Sequence, residues 1–185
     1  GAKPVLVDCR KDTLNLDEKQ LEAMITKKTK AIIPVHFGGH PYEMDVIQNI
    51  CSNYKLSLID DAAHALSSKY NNDFIGNTAE ITCFSFYATK NITTGEGGMV
   101  VTNDYKIAEK VKKLKMVGND KDKHYWHNIV GYNYRMTNLC AAIGYGQLSK
   151  AKFILKKKRN IFQIYKKNLI NFSFFRHLNR IMVDR

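Results

Sequence analysis

LIDDAAHAL (58–66) and FSFYATKNITTGEGG (84–98) are the stretches on which the reading of this 185-residue chain turns. The first sets two adjacent carboxylates, Asp60 and Asp61, at the end of an apolar run, followed by small residues that permit close approach. Side chains alternate along a strand, so the two acids face opposite ways and only one of them addresses a given ligand. The second sets a lone lysine, Lys90, just past an apolar strand and ahead of a glycine-rich turn. Alone, each feature has a structural explanation: a strand-end carboxylate often caps a helix, and a surface lysine is usually solvated. Together, at the C-terminal ends of neighbouring strands, they mark the place where open α/β sheets bind ligands.

The flanking sequence supplies such a sheet. Short apolar runs predict strands at Pro4–Val7, Ala31–Val35, Leu56–Ile59, Ile81–Phe86 and Gly98–Thr102. Amphipathic stretches alternate with them, as in an α/β domain. Asp17 with Gln20 resembles a capping box, ahead of Leu21, Met24 and Ile25 at helical spacing. Met44, Ile47, Ile50, Cys51 and Tyr54 predict a second helix, and Ile107, Val111 and Leu114 a third. The last two strands are joined only by NITTGEGG, which suits a site-bearing loop rather than a crossover helix. From Met136 to Leu169 one long helical pattern is expected, with Gly144 and Gly146 inside it marking close packing or a bend.

Composition agrees with a globular domain: 44% hydrophobic, 25% charged and 11% aromatic. These values exclude a disordered tail, a collagen-like repeat and a disulfide-stapled miniprotein. No apolar run approaches the roughly 20 residues that cross a bilayer, and no membrane association is expected. No secretory signal is visible at the N-terminus. Cys9, Cys51, Cys83 and Cys140 are scattered without a CxxC pair, which reads as reduced thiols in a cytosolic protein. Residues 1–120 balance 15 basic against 15 acidic side chains, whereas residues 121–185 carry 14 basic and two acidic ones, so the whole net charge of +12 sits in the last third. A solvated lysine-rich helix, a face for phosphorylated small molecules and a nucleic-acid face all fit that asymmetry.

Other motifs read as structural. His36 and His40 of HFGGH lie at a zinc-like spacing, but Gly38, Gly39 and Pro41 oppose the helix that spacing needs, and no cysteine or carboxylate completes a metal set. A loop leaving a strand is expected there. TTGEGG (93–98) lacks the ending of a P-loop and does not fit GxGxxG.

The run VDCRKDTLNLDEKQLEAMITKKTKAIIPVHFGGHPYEMDVI (7–47), with DDAAHAL, FSFYATKNITTGEGGMVVTND and GYNYRMTNLCAA, resembles the nucleotide-sugar aminotransferases of the DegT/StrS group, as far as about Leu169. The resemblance implies an α/β fold: a three-layer αβα architecture with a mixed, mostly parallel sheet, the large domain of a fold-type I pyridoxal-phosphate (PLP) transferase. It implies that residues 1–170 form an incomplete PLP-binding domain and that 171–185 begin the connection to a C-terminal domain. By the same resemblance Lys90 is the lysine bonded covalently to PLP, and Asp61 is the partner of the pyridine nitrogen. His64 stands beside the ring, Ser85 binds the phosphate, and Asn133 reaches the phosphate held by a neighbouring subunit, so a homodimer with a shared site is implied. The expected substrates are a nucleotide-linked keto-sugar and an amino donor, with glutamate as that donor.

Those residue types suit the chemistry. A lysine amine makes a covalent bond to an aldehyde and, once displaced, carries a proton between carbons. An aspartate keeps the ring nitrogen protonated, which makes the ring an electron sink. Family members with histidine at the lysine position are sugar dehydratases, so Lys90 favours aminotransfer; a related keto-cyclitol aminotransferase or a sugar dehydratase on the same scaffold stays open as an alternative. A non-catalytic basic module binding nucleic acid is the rival reading, and the joint presence of Lys90, Asp61, His64 and Ser85 argues against it. In the family's sheet a strand upstream of Gly1 separates the counterparts of Pro4–Val7 and Ala31–Val35. An unfilled gap, or no pairing at all, is therefore expected between these two segments, and the isolated chain is expected to be poorly stable and to bind PLP weakly.

Overall fold

The computed structural model describes residues 1–120, 122–123, 125–169 and 171–172. A four-stranded sheet runs in the order β1 (Ala31–Ile32), β2 (Ser57–Asp61), β5 (Ile81–Ser85), β6 (Gly98–Val101). β1–β2 and β2–β5 are parallel and β5–β6 is antiparallel, so the sheet is mixed and mostly parallel as expected. Helices α1 (Glu18–Met24) and α2 (Met44–Tyr54) bury Leu21, Met44, Ile47, Ile50 and Cys51 with Ile32 and Leu58, which forms the core behind the sheet. Three further helices follow: α3 (Tyr105–Lys115), α4 (Asn138–Ser149) and α5 (Ala151–Leu169).

Local chemistry explains most boundaries. Asp17 caps α1 by accepting from the N–H of Lys19 at 3.2 Å. The reciprocal half of the expected box differs, because Gln20 Nε2 donates to the Asp17 carboxylate at 2.8 Å and the Asp17 N–H donates instead to the Asp8 carbonyl. Asp104 caps α3, and Thr137 caps α4 through the N–H of Cys140.

Several expectations need correction. Pro4–Val7 forms no strand: the segment lies unpaired, with Val5 and Leu6 exposed, in line with the unpaired edge expected there. The run at 31–35 is a strand only over Ala31–Ile32, because Pro34 has no N–H to continue the ladder. Pairing resumes as a bridge, in which Asp61 N–H donates to the Pro34 carbonyl and His36 N–H to the Asp61 carbonyl. The long C-terminal helix is two helices broken at Lys150, where the Ser149 hydroxyl donates back to the Gly146 carbonyl at 2.8 Å. Gly144 is a close-packing site, as one reading held, and Gly146 faces open space. A short hairpin, β3 (Lys69–Tyr70) with β4 (Asp73–Phe74), escaped the pattern reading because two-residue strands carry no period; Asn71 and Asn72 both adopt positive φ at its turn. The connection expected over 171–185 lies, from residue 173 on, outside the described residues.

Candidate active site

Sheet alternation sorts the two acids as expected. Asp60 is fully buried behind the sheet, where its carboxylate accepts from the Tyr42 hydroxyl at 2.6 Å and the Thr82 hydroxyl at 3.3 Å. Asp61 is half-buried on the opposite face, at a hollow of about 340 Å³ that it lines with Ile33, Ile59, Cys83, Phe84 and Ser85 and that Asp60 also borders. Its Oδ1 accepts from the Ala63 N–H at 3.0 Å, an Asx turn that orients the carboxylate at the strand end. Burial pushes the Cys83 thiol up from its ordinary range, and the charges of Asp61 and Asp60 add to it.

A second hollow, of about 280 Å³, is lined by Gly38, Ala63, His64, Leu66, Ser85, Lys90 and Asn91. Ala63 and Ser85 belong to both hollows, so they adjoin. Ser85 ends β5, and its hydroxyl accepts from the Tyr87 N–H at 3.2 Å. Lys90 follows on the turn closed by its own N–H donating to the Tyr87 carbonyl at 3.0 Å. Small side chains let these loops meet: Ala62 and Ala65, close to His64 in the chain, are fully buried.

The HFGGH segment turns out to shape this site. Phe37–Gly39 is a single 3₁₀ turn rather than a plain loop. Gly38 donates its N–H to His64 Nδ1 at 3.2 Å, and the Phe37 ring meets the imidazole edge-on at 6.2 Å between centroids. With Nδ1 accepting, the proton of the neutral ring sits on Nε2. Sequence reading missed Gly38, Leu66 and Asn91 as lining residues; the glycine pair was the available signal, because a turn that tight brings backbone to its neighbours.

Of the five expected site residues, the structure brings Lys90, His64 and Ser85 into one hollow and Asp61 into the adjoining one. Asn133 does not join them. It is exposed, bridges to Met116, and its Oδ1 accepts from Arg135 Nε at 3.3 Å.

Residues 1–181 match the sequence profile of the DegT/DnrJ/EryC1/StrS aminotransferase family. The chain belongs to that family. It is 46% identical to the GDP-perosamine synthase of Escherichia coli O157:H7 over 169 residues, which cover 91% of this chain and 46% of the enzyme. Among solved structures, Helicobacter pylori PseC, an aminotransferase involved in the biosynthesis of pseudoaminic acid, superposes with a TM-score of 0.87 at 36% identity, covering 92% of this chain and 46% of that one. DesV of S. venezuelae, solved in complex with a ketimine intermediate, gives a TM-score of 0.86 at 32% identity, covering 92% and 46%. Members of the family are PLP-dependent, and the chain spans about half the length of the curated relatives it matches.

The donor set fits PLP. An amine, a carboxylate and a hydroxyl line two adjoining hollows, and these are the groups that an aldehyde, a protonated ring nitrogen and a phosphate require.

Proposed function

We propose that this chain supplies the coenzyme-holding part of a PLP-dependent aminotransferase that converts a nucleotide-linked keto-sugar to an amino-sugar, for cell-surface polysaccharide. The observation that carries this is the meeting of Lys90, His64 and Ser85 in one hollow with Asp61 at its border. When bound, the coenzyme supplies the aldehyde that carries the amino group and the ring that stabilises negative charge.

The protein's own groups divide the rest of the work. Lys90 Nζ holds the coenzyme covalently and, when displaced, takes and returns a proton. Asp61, oriented by the Ala63 N–H, holds a proton on the ring nitrogen. Ser85 binds the phosphate, and His64 presents Nε2–H beside the ring. Asn133, exposed and outside the lining of both hollows, suits contact with the site of a second copy in a homodimer. Glutamate is the proposed amino donor and the cytoplasm the proposed compartment. Residues 1–170 belong to the coenzyme domain, and 171–185 lead out of it.

Borohydride reduction of the whole protein in the presence of PLP, followed by peptide mapping, tests this. Covalent label at Lys90 is expected; label on another lysine, or none, refutes the assignment. The 185-residue chain alone is expected to take up label weakly, since it spans under half the length of the relatives it matches.

A further inference from the structure

Behind the coenzyme site lies a buried polar cluster that the proposed chemistry does not use. Asp60, His36 and Thr82 have no exposed surface and Tyr42 has 1%. Burying such groups is costly unless each finds a partner. Asp60 gathers them: Tyr42 donates to Oδ1 at 2.6 Å, Thr82 to Oδ2 at 3.3 Å, and His36 Nε2 stands 3.5 Å from Oδ2. His36 stacks on Tyr42 with ring centroids 4.6 Å apart. Neither of its ring nitrogens makes a hydrogen bond among the described residues, and the Asp60 carboxylate is the acid that Nε2 faces.

The three partners come from two segments. Thr82 is on β5, three residues before Ser85, while His36 and Tyr42 flank the turn that carries Gly38. The backbone of Asp61, next to Asp60, is gripped by those same elements: by Pro34 and His36 on one side, and on the other through Ala62 N–H donating to the Cys83 carbonyl at 2.9 Å. One carboxylate behind the sheet therefore binds together the two flanks of the strand end that presents the other carboxylate in front.

We propose that Asp60 is a positioning residue: through Tyr42, Thr82 and His36 it holds the end of β2 in register between its neighbours, and so sets where the Asp61 carboxylate meets the ring nitrogen. The inference rests on the coenzyme reading above.

Spectral titration of the whole protein with PLP reads it out, alongside melting of the coenzyme-free form. Asp60→Ala cuts all three ties, and Tyr42→Phe removes a single hydroxyl. Asp60→Ala is expected to weaken PLP binding about tenfold or more and to shift the visible band of bound coenzyme, with Asp60→Asn restoring part of the affinity. Tyr42→Phe is expected to weaken binding by about threefold, and that loss is expected to vanish in an Asp61→Asn background, where no ring-nitrogen carboxylate remains to be placed. Should Asp60→Ala not fold, Tyr42→Phe in the two backgrounds decides. A Tyr42→Phe protein with unaltered affinity and band overturns the inference even if its melting temperature drops, and so does an equal loss in both backgrounds. Absence of any coenzyme band in the unaltered protein overturns the coenzyme reading itself, which is a different result.

Discussion

His64 Nδ1 accepts the backbone N–H of Gly38 at 3.2 Å, so a turn that leaves the edge strand determines which nitrogen of the imidazole remains to donate. The contact ties two segments 26 residues apart, and it depends on a backbone that only glycine adopts easily.

Gly39 sits at φ +86°, and a Cβ there would stand 2.8 Å from the His64 carbonyl oxygen; Gly38 sits at φ +61° with open space around it. Gly38→Ala is therefore expected to cost about 1–2 kcal/mol for the left-handed backbone alone, and Gly39→Ala about 2–4 kcal/mol once the collision is included. Denaturant melts of both variants check the order. Equal losses would show that the contact with His64 relaxes freely.

A matching pair lies in α4. A Cβ on Gly144 would meet Thr94 Cγ2 at 2.7 Å, while one on Gly146 meets nothing within 4 Å. Thr94 is buried, and its N–H donates to the Phe86 carbonyl at 2.9 Å, which holds the loop after Lys90. Gly146→Ala is expected to stabilise by about 0.5–1 kcal/mol through helix propensity, and Gly144→Ala to destabilise by about 1–3 kcal/mol. Thermal melts of the two single variants should move in opposite directions.

Asp61→Asn in the whole protein is expected to lower the rate of aminotransfer by about 10²-fold or more, while borohydride still labels Lys90. The split follows from the roles proposed: covalent capture needs the amine, whereas proton removal from carbon needs the protonated ring. A variant that at saturating PLP loses label as well as rate would show that covalent capture by Lys90 also needs the acid.

Stability should fall in alkali. Burial, with the Asp60 charge adding, pushes the Cys51 thiol up to about 11, and the same two causes push the Tyr42 phenol above its ordinary range. In the unfolded chain these groups ionise at about 8.5 and 10, so above about pH 8.5 the unfolded state holds fewer protons than the folded one and stability declines with pH. The contribution is whole below that point and is lost as pH climbs through the raised folded values. Melting temperature followed upward from neutral pH checks this, and Cys51→Ala should delay the onset of the fall. Iodoacetamide at neutral pH should label exposed Cys9 and spare Cys51.

Much of this was legible in the chain. Asp17 caps α1, as a short polar side chain ahead of an apolar helical period does, and the apolar spacing from Met44 to Tyr54 marks α2 to the residue. The opposite facing of Asp60 and Asp61 follows from strand geometry alone. Two local features escaped because neither carries a hydrophobic period: the hairpin at 69–74 is too short for one, and the break at Lys150 follows a side-chain hydrogen bond from Ser149 to the Gly146 carbonyl.

Residue order by itself marked the amine at Lys90 and the acid pair Asp60–Asp61 as candidates near the ends of neighbouring strands, because strand periodicity is encoded within a few residues, and the family resemblance singled out Asp61 from the pair. Only the tertiary structure decided that Phe37–Gly39 folds over to hold His64, that Asp60 gathers Tyr42, Thr82 and His36, and that Asn133 stays outside both hollows. Each of those depends on segments far apart in the chain being packed together, and no local pattern records which distant partner a buried polar group or a tight turn will meet.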